Sequence, residues 1–547
     1  MDGMRESRPS RLAASARHAL YSLKTAKSLH AARSSGPNQG FKPMNVSTPK
    51  VPRVSGSLSR NLGLWAVVGL GLGYMTPTVV FDTFGIVSGI TDGAVPMAYI
   101  VALVVMMFTA VSYGKMAGAI PSAGSAYTYA HRSIHPNVGF FVGWTSLLDY
   151  LLLPMVNALI IRLYLEQIFP DVSPVIWVVL YVAAVTAVVY ISMRGTSRVN
   201  ALLLCFSVAV IIVFIVLVCN QLVNGEGLGT VFSSRPFIHE DMNTESLLMA
   251  ATVVCFSFIG FDAITMYAEE VRSPKIMPRA ILVTVIIGGA IFLIASYFAQ
   301  LRFPDNTPFG DYVDDPLPQI GLIVGGEVFQ TIFVAAGFTA TVASGLASHA
   351  SVSRMLLVMG RNSVLPKRVF GYVSPRTHTP TFNVVLVGVV SLAAMSFSLE
   401  LISAFINFGA LIAFTAVNAS VIAWFAIRQG RRKTFADVFN YIVMPAIGVI
   451  MTALLWLNLH EEALIGGLIW MAAGAIYLLV LTRAFRKPIA SFDENEPVTG
   501  FNKVIDADGD IITVGPGLEV ETMRHGSSNA SDTPRAADDQ PKSTRNE

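Results

Sequence analysis

The sequence predicts an all-α integral membrane protein with twelve transmembrane helices, built around an inverted internal repeat. Three observations predict it. First, of 547 residues 53% are hydrophobic and only 13% charged, and the mean hydropathy is +0.59; soluble domains carry about 25% charged residues. Second, twelve apolar runs approach or exceed the ~20 residues that a helix needs to cross a bilayer. Third, the dipeptide Phe-Asp recurs at Phe81-Asp82 and Phe261-Asp262, each time just after a signal for a broken helix, "TPT" at 76–78 and "SFIG" at 257–260.

In chain order the runs fall near 62–90, 94–113, 137–167, 174–192, 199–221, 247–267, 280–301, 327–357, 380–398, 401–427, 438–458 and 463–483. The first, third and eighth are long enough to be tilted or broken. The links between runs alternate in charge. Lys115 and Arg132, Arg194 and Arg198, then Arg272, Lys275 and Arg279 mark one side, followed by Arg361, Lys367, Arg368 and Arg376, and by Arg428, Arg431, Arg432 and Lys433. The opposite links read "TDG", "PDVSP", an acid-rich 222–246, "DNTPFGDYVDD" and "HEE", with Arg235 and Arg302 almost their only basic residues. The positive-inside bias places both termini in the cytoplasm.

The ends stand apart from this core. Residues 1–60 carry eleven Lys/Arg against two acids and lack an apolar stretch, so they read as a basic, disordered cytoplasmic tail, with Met44 as an alternative start. Residues 488–547 read as an acidic, solvated tail, leaving 61–487 as the membrane core. Cys205, Cys219 and Cys255 lie in or at the ends of apolar runs and read as small buried hydrophobes, with no disulfide framework.

The two Phe-Asp copies lie five crossings apart, and an odd number of crossings inverts the second relative to the first. Interrupted helices in corresponding halves mark a mid-membrane site in secondary transporters, because unwound backbone persists at that depth only where it lines a cavity. The ionisable residues agree. Asp82, Asp149 and Asp262 lie well inside predicted spans, and no Lys or Arg lies at similar depth. A charge there costs about 2.5–3.5 kcal/mol at a helix centre, so such groups mark ion or substrate paths, though some are hydrogen-bonded structural groups. Arg162 pairs naturally with Glu166 one turn on, and Arg354 near an inner helix end can snorkel. "GLGLG" at 69–73 lacks the strand–turn–helix context of a nucleotide fingerprint and suits helix packing. No Walker A sequence, metal-ligand spacing or nucleophile–base pair is present, so the chain reads as neither an enzyme nor an ATP-driven pump, without cofactor, metal or nucleic-acid partner.

The stretches "FSFIGFD…AEEVRSPKIMPRAI" (256–281), "IPSAGSAYTYAHRSIHPNVGFFVGW" (120–144) and "INFGALIAFTAVN" (406–418) resemble the amino acid/polyamine/organocation transporter superfamily. "TPTVVFDTFGIVSGITDG", "GWTSLLDYLLLPM" and "ASGLASHASVSRMLLVMGR" resemble its bacterial putrescine importers, from about Leu62 to Lys487. The resemblance implies the LeuT-like five-plus-five inverted repeat, with broken helices 1 and 6, repeats near 61–222 and 245–427, and two extra helices near 438–484. It also implies a multi-pass protein of the bacterial inner membrane that imports putrescine or a related polyamine by alternating access, with a proton as a possible co-substrate. An amino-acid permease or amine exchanger of the same fold is the alternative; a membrane receptor or ion channel is the alternative of another class.

Residues and resemblance together define a candidate site. Amino-acid carriers of this superfamily bind the substrate carboxylate on bare N–H groups of a glycine-rich break in helix 1. Here the break is Thr76-Pro77-Thr78, and proline has no N–H to donate, so the expected substrate lacks a carboxylate. Putrescine has ammonium groups about 6 Å apart from bond lengths, which two aspartates on different helices could hold, with Asp82 and Asp149 the expected ammonium partners. Tyr74, Tyr150, Phe258 and Phe261 are candidates to cover the methylene chain, although each taken singly is more simply read as packing, and Thr76, Thr78 and Phe81 complete the substrate set. The resemblance gives Asp262 a share in gating or proton coupling. Glu269, Glu270 and His349 are weaker candidates for that role, the glutamates more simply read as a salt-bridge cluster and the histidine as a helix-packing group.

Overall fold

The computed structural model describes residues 62–482 apart from 122–124, 192–196, 241, 269–270, 274, 362–363, 375–376 and 378, together with 502–505 and 511–514. The first run folds as α1 (Leu64–Met75), a single turn α2 (Val79–Asp82) and α3 (Phe84–Thr91). The cause of the break is local. Pro77 has no N–H for a helical bond, and Thr76 sits at φ 51°, ψ 90°, a left-handed conformation that costs a β-branched residue strain. The sixth run repeats the design. After α4 (Val95–Ala119), α5 (Ser125–Ser133), α6 (Pro136–Ile168), α7 (Pro174–Ile191) and α8 (Ser197–Val223), α9 (Thr244–Phe258) stops at an extended Ile259. Gly260 follows at φ 123°, where only glycine is at ease, and a 3-10 turn Ala263–Tyr267 continues the span. The two breaks touch, because a Cβ on Gly260 would meet the Tyr74 ring at 2.5 Å.

The second half continues with α10 (Ile276–Arg302), α11 (Leu317–Arg361), α12 (Lys367–Phe370), α13 (Thr381–Ser391) and α14 (Leu399–Val421). It ends with α15 (Phe435–Val438), α16 (Met444–Leu457) and α17 (Glu461–Leu481). Of the three runs read as tilted or broken, α6 is continuous through an internal Pro154, and α11 kinks at Gly326 (φ 71°, ψ −173°), separating a short arm at 317–325 from the long span. Among the described residues eleven helical segments are long and apolar enough to span a membrane. The ninth run, read as 380–398, is shorter. It turns 3-10 over Leu392–Met395 and yields at Ser398, whose side chain caps α14 by accepting from the Leu401 N–H at 3.3 Å. Strands β1 (Asn502–Ile505) and β2 (Ile511–Val514) pair antiparallel within the segment read as a solvated tail.

The repeat is visible in who packs against whom. Exchange α1 with α9, α4 with α10, α6 with α11, α7 with α13 and α8 with α14, and the contacts map onto one another. α1 packs on α10 as α9 packs on α4; α8 packs on α11 as α14 packs on α6; α1 meets α8 as α9 meets α14; α6 meets α7 as α11 meets α13. α16 lies on α14, and α17 lies on α6 and α14, outside the exchange. Trp144 on α6 and Trp470 on α17 fasten the last helix: each indole N–H donates to the other's carbonyl, at 2.9 and 2.8 Å, with the rings stacked 4.8 Å apart.

Both ends of the repeat pair are closed. At one end the backbone entering α1 pairs with the segment after the sixth span, where the Arg272 N–H donates to Leu62 O at 3.1 Å. At the other the link 303–316 lies on α3. Asn306 Nδ2 donates to Gly85 O at 2.8 Å, and a Cβ on Gly85 would meet Val313 O at 2.2 Å.

Of the three cysteines only Cys255 is buried; Cys219 is half-buried, and Cys205 is exposed on the apolar flank of α8 beside Leu202 and Phe206. Burial is therefore a property of one of the three, because α8 is a peripheral helix with a lipid-facing side. Arg162 reaches Glu166 at 3.9 Å and the carbonyls of Ala394 and Met395, and Arg354 lies over the Tyr267 ring at 5.6 Å.

Candidate functional site

The structure gathers Asp149 and Asp262 into one cleft, with Tyr150 between their helices. Asp262 is placed by the break in its own span: Gly260 N–H approaches Oδ1 at 3.4 Å, and the Thr265 hydroxyl donates to the Asp262 carbonyl at 2.6 Å. Tyr150 on α6 donates its hydroxyl to Asp262 Oδ2 at 3.1 Å. Asp149, the neighbour of Tyr150, is held close to α14 because a glycine lies there; a Cβ on Gly409 would come within 3.1 Å of the Asp149 Cβ. Each carboxylate is 4% exposed, and Asp149 Oδ1 has no hydrogen-bond partner among the described residues. Tyr113, Ser146, Met266 and Met355 complete the lining, with Ser125 and Tyr127 from the short α5. Pro154, one turn above Tyr150, withdraws the N–H that would have bonded the Tyr150 carbonyl, leaving one more acceptor on this stretch of α6. The lining side chains meet closely enough to leave no room for a bound small molecule, so loading requires them to part.

Asp82 is elsewhere. Its side chain is fully buried beyond the break in the first span, where Tyr164 of α6 donates to Oδ1 at 2.6 Å and Oδ2 has no partner among the described residues. Tyr150 and Tyr164 are fourteen positions apart on one helix, which at 1.5 Å per residue is about 21 Å. Asp82 and Asp149, expected to hold the two ends of one diamine, are therefore not brought together: ends about 6 Å apart reach only one of the two clusters.

The remaining candidates divide by contact. Tyr74 closes on Gly260, and its carbonyl accepts from the Ser344 hydroxyl of α11 at 3.0 Å, so it belongs to the break. Phe261 packs edge-on against Tyr113 at 5.6 Å, immediately behind the cleft. Phe258 packs with Tyr99 and Phe292, and Phe81 with Phe214 and Phe333, both as core rings. Thr78 is buried, its hydroxyl without a partner among the described residues; Thr76 supplies the carbonyl that accepts from the Val79 N–H at 2.9 Å. His349 is buried and its Nε2 lies 2.9 Å from the Val384 carbonyl of α13. Glu269 and Glu270 lie outside the described residues. Tyr113, Ser125, Tyr127, Ser146, Tyr164, Met266, Met355 and Asp315 escaped the sequence reading; Ser125, Tyr127, Ser146 and Met355 lie in stretches already quoted for their resemblance, which was the available signal.

Chemically, the cleft presents two buried carboxylates, a phenol and several hydroxyls. Among the described residues no Lys or Arg forms an ion pair with either acid, and no group of three or more His, Cys, Asp or Glu side chains is arranged to hold a metal ion. Two adjacent carboxylates buried this deeply stay ionised only beside a counter-cation and otherwise take up a proton. An ammonium group, with three donors and a positive charge, satisfies both the charge and the free acceptor.

Residues 66–486 match the family described as Amino acid permease. A low-affinity putrescine importer, PlaP, of Escherichia coli (strain K12) is 46% identical over 448 residues, 82% of this chain and 98% of that protein. The branched-chain amino acid permease BcaP of Bacillus subtilis (strain 168) is 22% identical over 79% of this chain and 95% of its own length. A vacuolar cationic amino acid transporter 4 of Arabidopsis thaliana is 27% identical over 74% of this chain and 67% of its own.

Proposed function

Because the chain belongs to the amino acid permease family, we propose that it is a secondary active transporter importing putrescine or a closely related polyamine by alternating access. The observation that carries this reading is the pairing of Asp149 and Asp262 in a buried cleft with the Tyr150 hydroxyl and, among the described residues, no cationic side chain in an ion pair there. The break in the first span supports it from the other side. Pro77 lacks an N–H and the Val79 N–H is taken by Thr76 O, so two of the backbone donors a substrate α-carboxylate would use are missing or engaged. The extensive identity with a putrescine importer points to the same substrate.

The orientation that the basic links favour puts both termini in the cytoplasm of a bacterial inner membrane, the Asp82 cluster on the outer half and the Asp149–Asp262 cleft on the inner half. Twelve crossings follow if the short helix at Thr381–Met395 spans with its neighbours. A dication entering a cell at −100 mV gains about 4.6 kcal/mol, twice the single-charge value of about 2.3. That supports roughly a thousandfold accumulation at about 1.4 kcal/mol per tenfold. Import can therefore run on voltage alone, with a proton as co-substrate the further coupling route.

Uptake of radiolabelled putrescine into proteoliposomes tests the reading, with pH and voltage clamped separately and spermidine, lysine and arginine as competitors. Saturable uptake that grows with interior-negative voltage is expected. Preference for arginine or lysine over putrescine would replace the polyamine by an amino acid.

A further inference from the structure

The Asp82 cluster contains a second acid from a distant part of the chain. Asp315 lies in the link between α10 and α11, is 2% exposed, and neither of its carboxylate oxygens has a partner among the described residues. Its backbone carbonyl is fixed by Gln167 Nε2 at 3.1 Å, one turn beyond Tyr164 on α6. Burial, together with the Asp82 carboxyl beside it, pushes Asp315 well above the usual carboxylate range. The third wall is α11. A Cβ on Gly337 would meet the Tyr164 hydroxyl at 2.8 Å, and one turn on, Thr341 adds a fully buried hydroxyl. The site thus brings together, among the described residues, three carboxylate oxygens without a close hydrogen-bond partner, the Thr341 hydroxyl, and a phenol that donates to Asp82. No basic side chain forms an ion pair with Asp82 or Asp315 among the described residues.

We propose that Asp82, Asp315 and Tyr164 form a second, outer binding site for a primary ammonium group, which a polyamine occupies before it reaches the Asp149–Asp262 cleft. Resting on the polyamine reading, this assigns the order of events within it. An ammonium offers three N–H donors, and the cluster offers Asp82 Oδ2 and both Asp315 oxygens to receive them. Because the clusters are about 21 Å apart along α6, a putrescine in one leaves the other open, and the chain holds two at once. The link that carries Asp315 is also the one seated on Gly85, so lifting it both uncovers the site and removes one of its acids. The cluster is complete only when the link is down.

Equilibrium dialysis of the purified full chain in nanodiscs against radiolabelled putrescine, and in a separate arm against radiolabelled sodium, reads the stoichiometry. Two putrescines per chain are expected for the wild type and one for Asp315→Asn, with the remaining affinity unchanged; Asp149→Asn should also leave one, now at the outer site. Tyr164→Phe removes a single hydroxyl and serves if the aspartate variant fails to fold. It should weaken one of the two sites by about ten- to a hundredfold, the range for a hydrogen bond to a charged group. One putrescine per chain, insensitive to both Asp315→Asn and Tyr164→Phe, would overturn the outer site and leave the transport reading standing. Sodium binding lost in Asp315→Asn, with putrescine stoichiometry unmoved, would overturn the ammonium assignment. No putrescine bound by the wild type would overturn the transport reading itself.

Discussion

Tyr150 and Tyr164 project from the same helix, and each donates its hydroxyl to one of the two aspartates that the internal repeat relates, Asp262 at 3.1 Å and Asp82 at 2.6 Å. The repeat supplies the acids; α6 supplies both phenols. A single rod therefore reaches both clusters, and a shift of α6 along its axis or about it changes both bonds together.

Charge removal at the inner cleft is the first test. Asp149→Asn and Asp262→Asn keep shape but remove charge, and losing one partner of a desolvated ion pair costs about 2–5 kcal/mol, roughly thirty- to several-thousandfold in affinity. Each variant should reach the membrane in normal amounts and raise the apparent KM for putrescine steeply. Uptake within twofold of wild type in either variant would remove that residue from the site.

The two phenols should separate in kinetics. Tyr150→Phe takes a donor from Asp262 and should weaken putrescine by about 1.5–3 kcal/mol, the worth of a hydrogen bond to a charged group. A double-mutant cycle of Tyr150→Phe with Asp262→Asn should be non-additive, whereas Tyr150→Phe with Asp82→Asn should add, because these two belong to different clusters. Apparent KM from initial uptake rates supplies all the terms.

Gly85→Ala tests the seating of the outer link. The new methyl would stand 2.2 Å from Val313 O, a backbone atom that cannot rotate away, so the link must lift. Overpacking of this kind costs about 1–3 kcal/mol. Limited proteolysis within 305–315 should quicken and putrescine uptake should slow. Unchanged cleavage and uptake would show that the link does not need to close on α3.

Ornithine differs from putrescine by one carboxylate, and in the break at Thr76-Pro77-Thr78 the proline has no N–H and the Val79 N–H is taken by Thr76 O, which leaves few backbone donors for it. Putrescine should therefore displace radiolabelled putrescine at least about tenfold more effectively than ornithine does, a gap of about 1.4 kcal/mol. Equal competition would show that a carboxylate finds donors elsewhere.

Much of this was legible in the residues for physical reasons. Pro77 and Gly260 announce their breaks because neither suits a helix interior, and Asp82, Asp149 and Asp262 stand out because a charge in hydrocarbon is expensive. Which acids share a cleft was not legible, since that depends on the axial position of α6 against two half-spans. Asp315 was hidden by its setting. In "DNTPFGDYVDD" an acid is unremarkable, and only the folding of that link onto α3 buries it. Tyr164, near a helix end, reads as an ordinary interfacial anchor until its partner is seen. The ninth run looked long enough to span because its apolar residues continue past Ser391, where the α-helix has already tightened into a 3-10 turn.

The indole pair Trp144 and Trp470 gives the final helix a mechanical role. Two reciprocal hydrogen bonds and a stacked contact tie α17 to α6 six residues before Tyr150, so a twist of the rod that serves both clusters is passed to the C-terminal edge of the membrane core. Any rotation of α6 would thus reach α17, and a reporter fused just after α17, compared with and without Trp470→Ala, would read whether the indole pair transmits it.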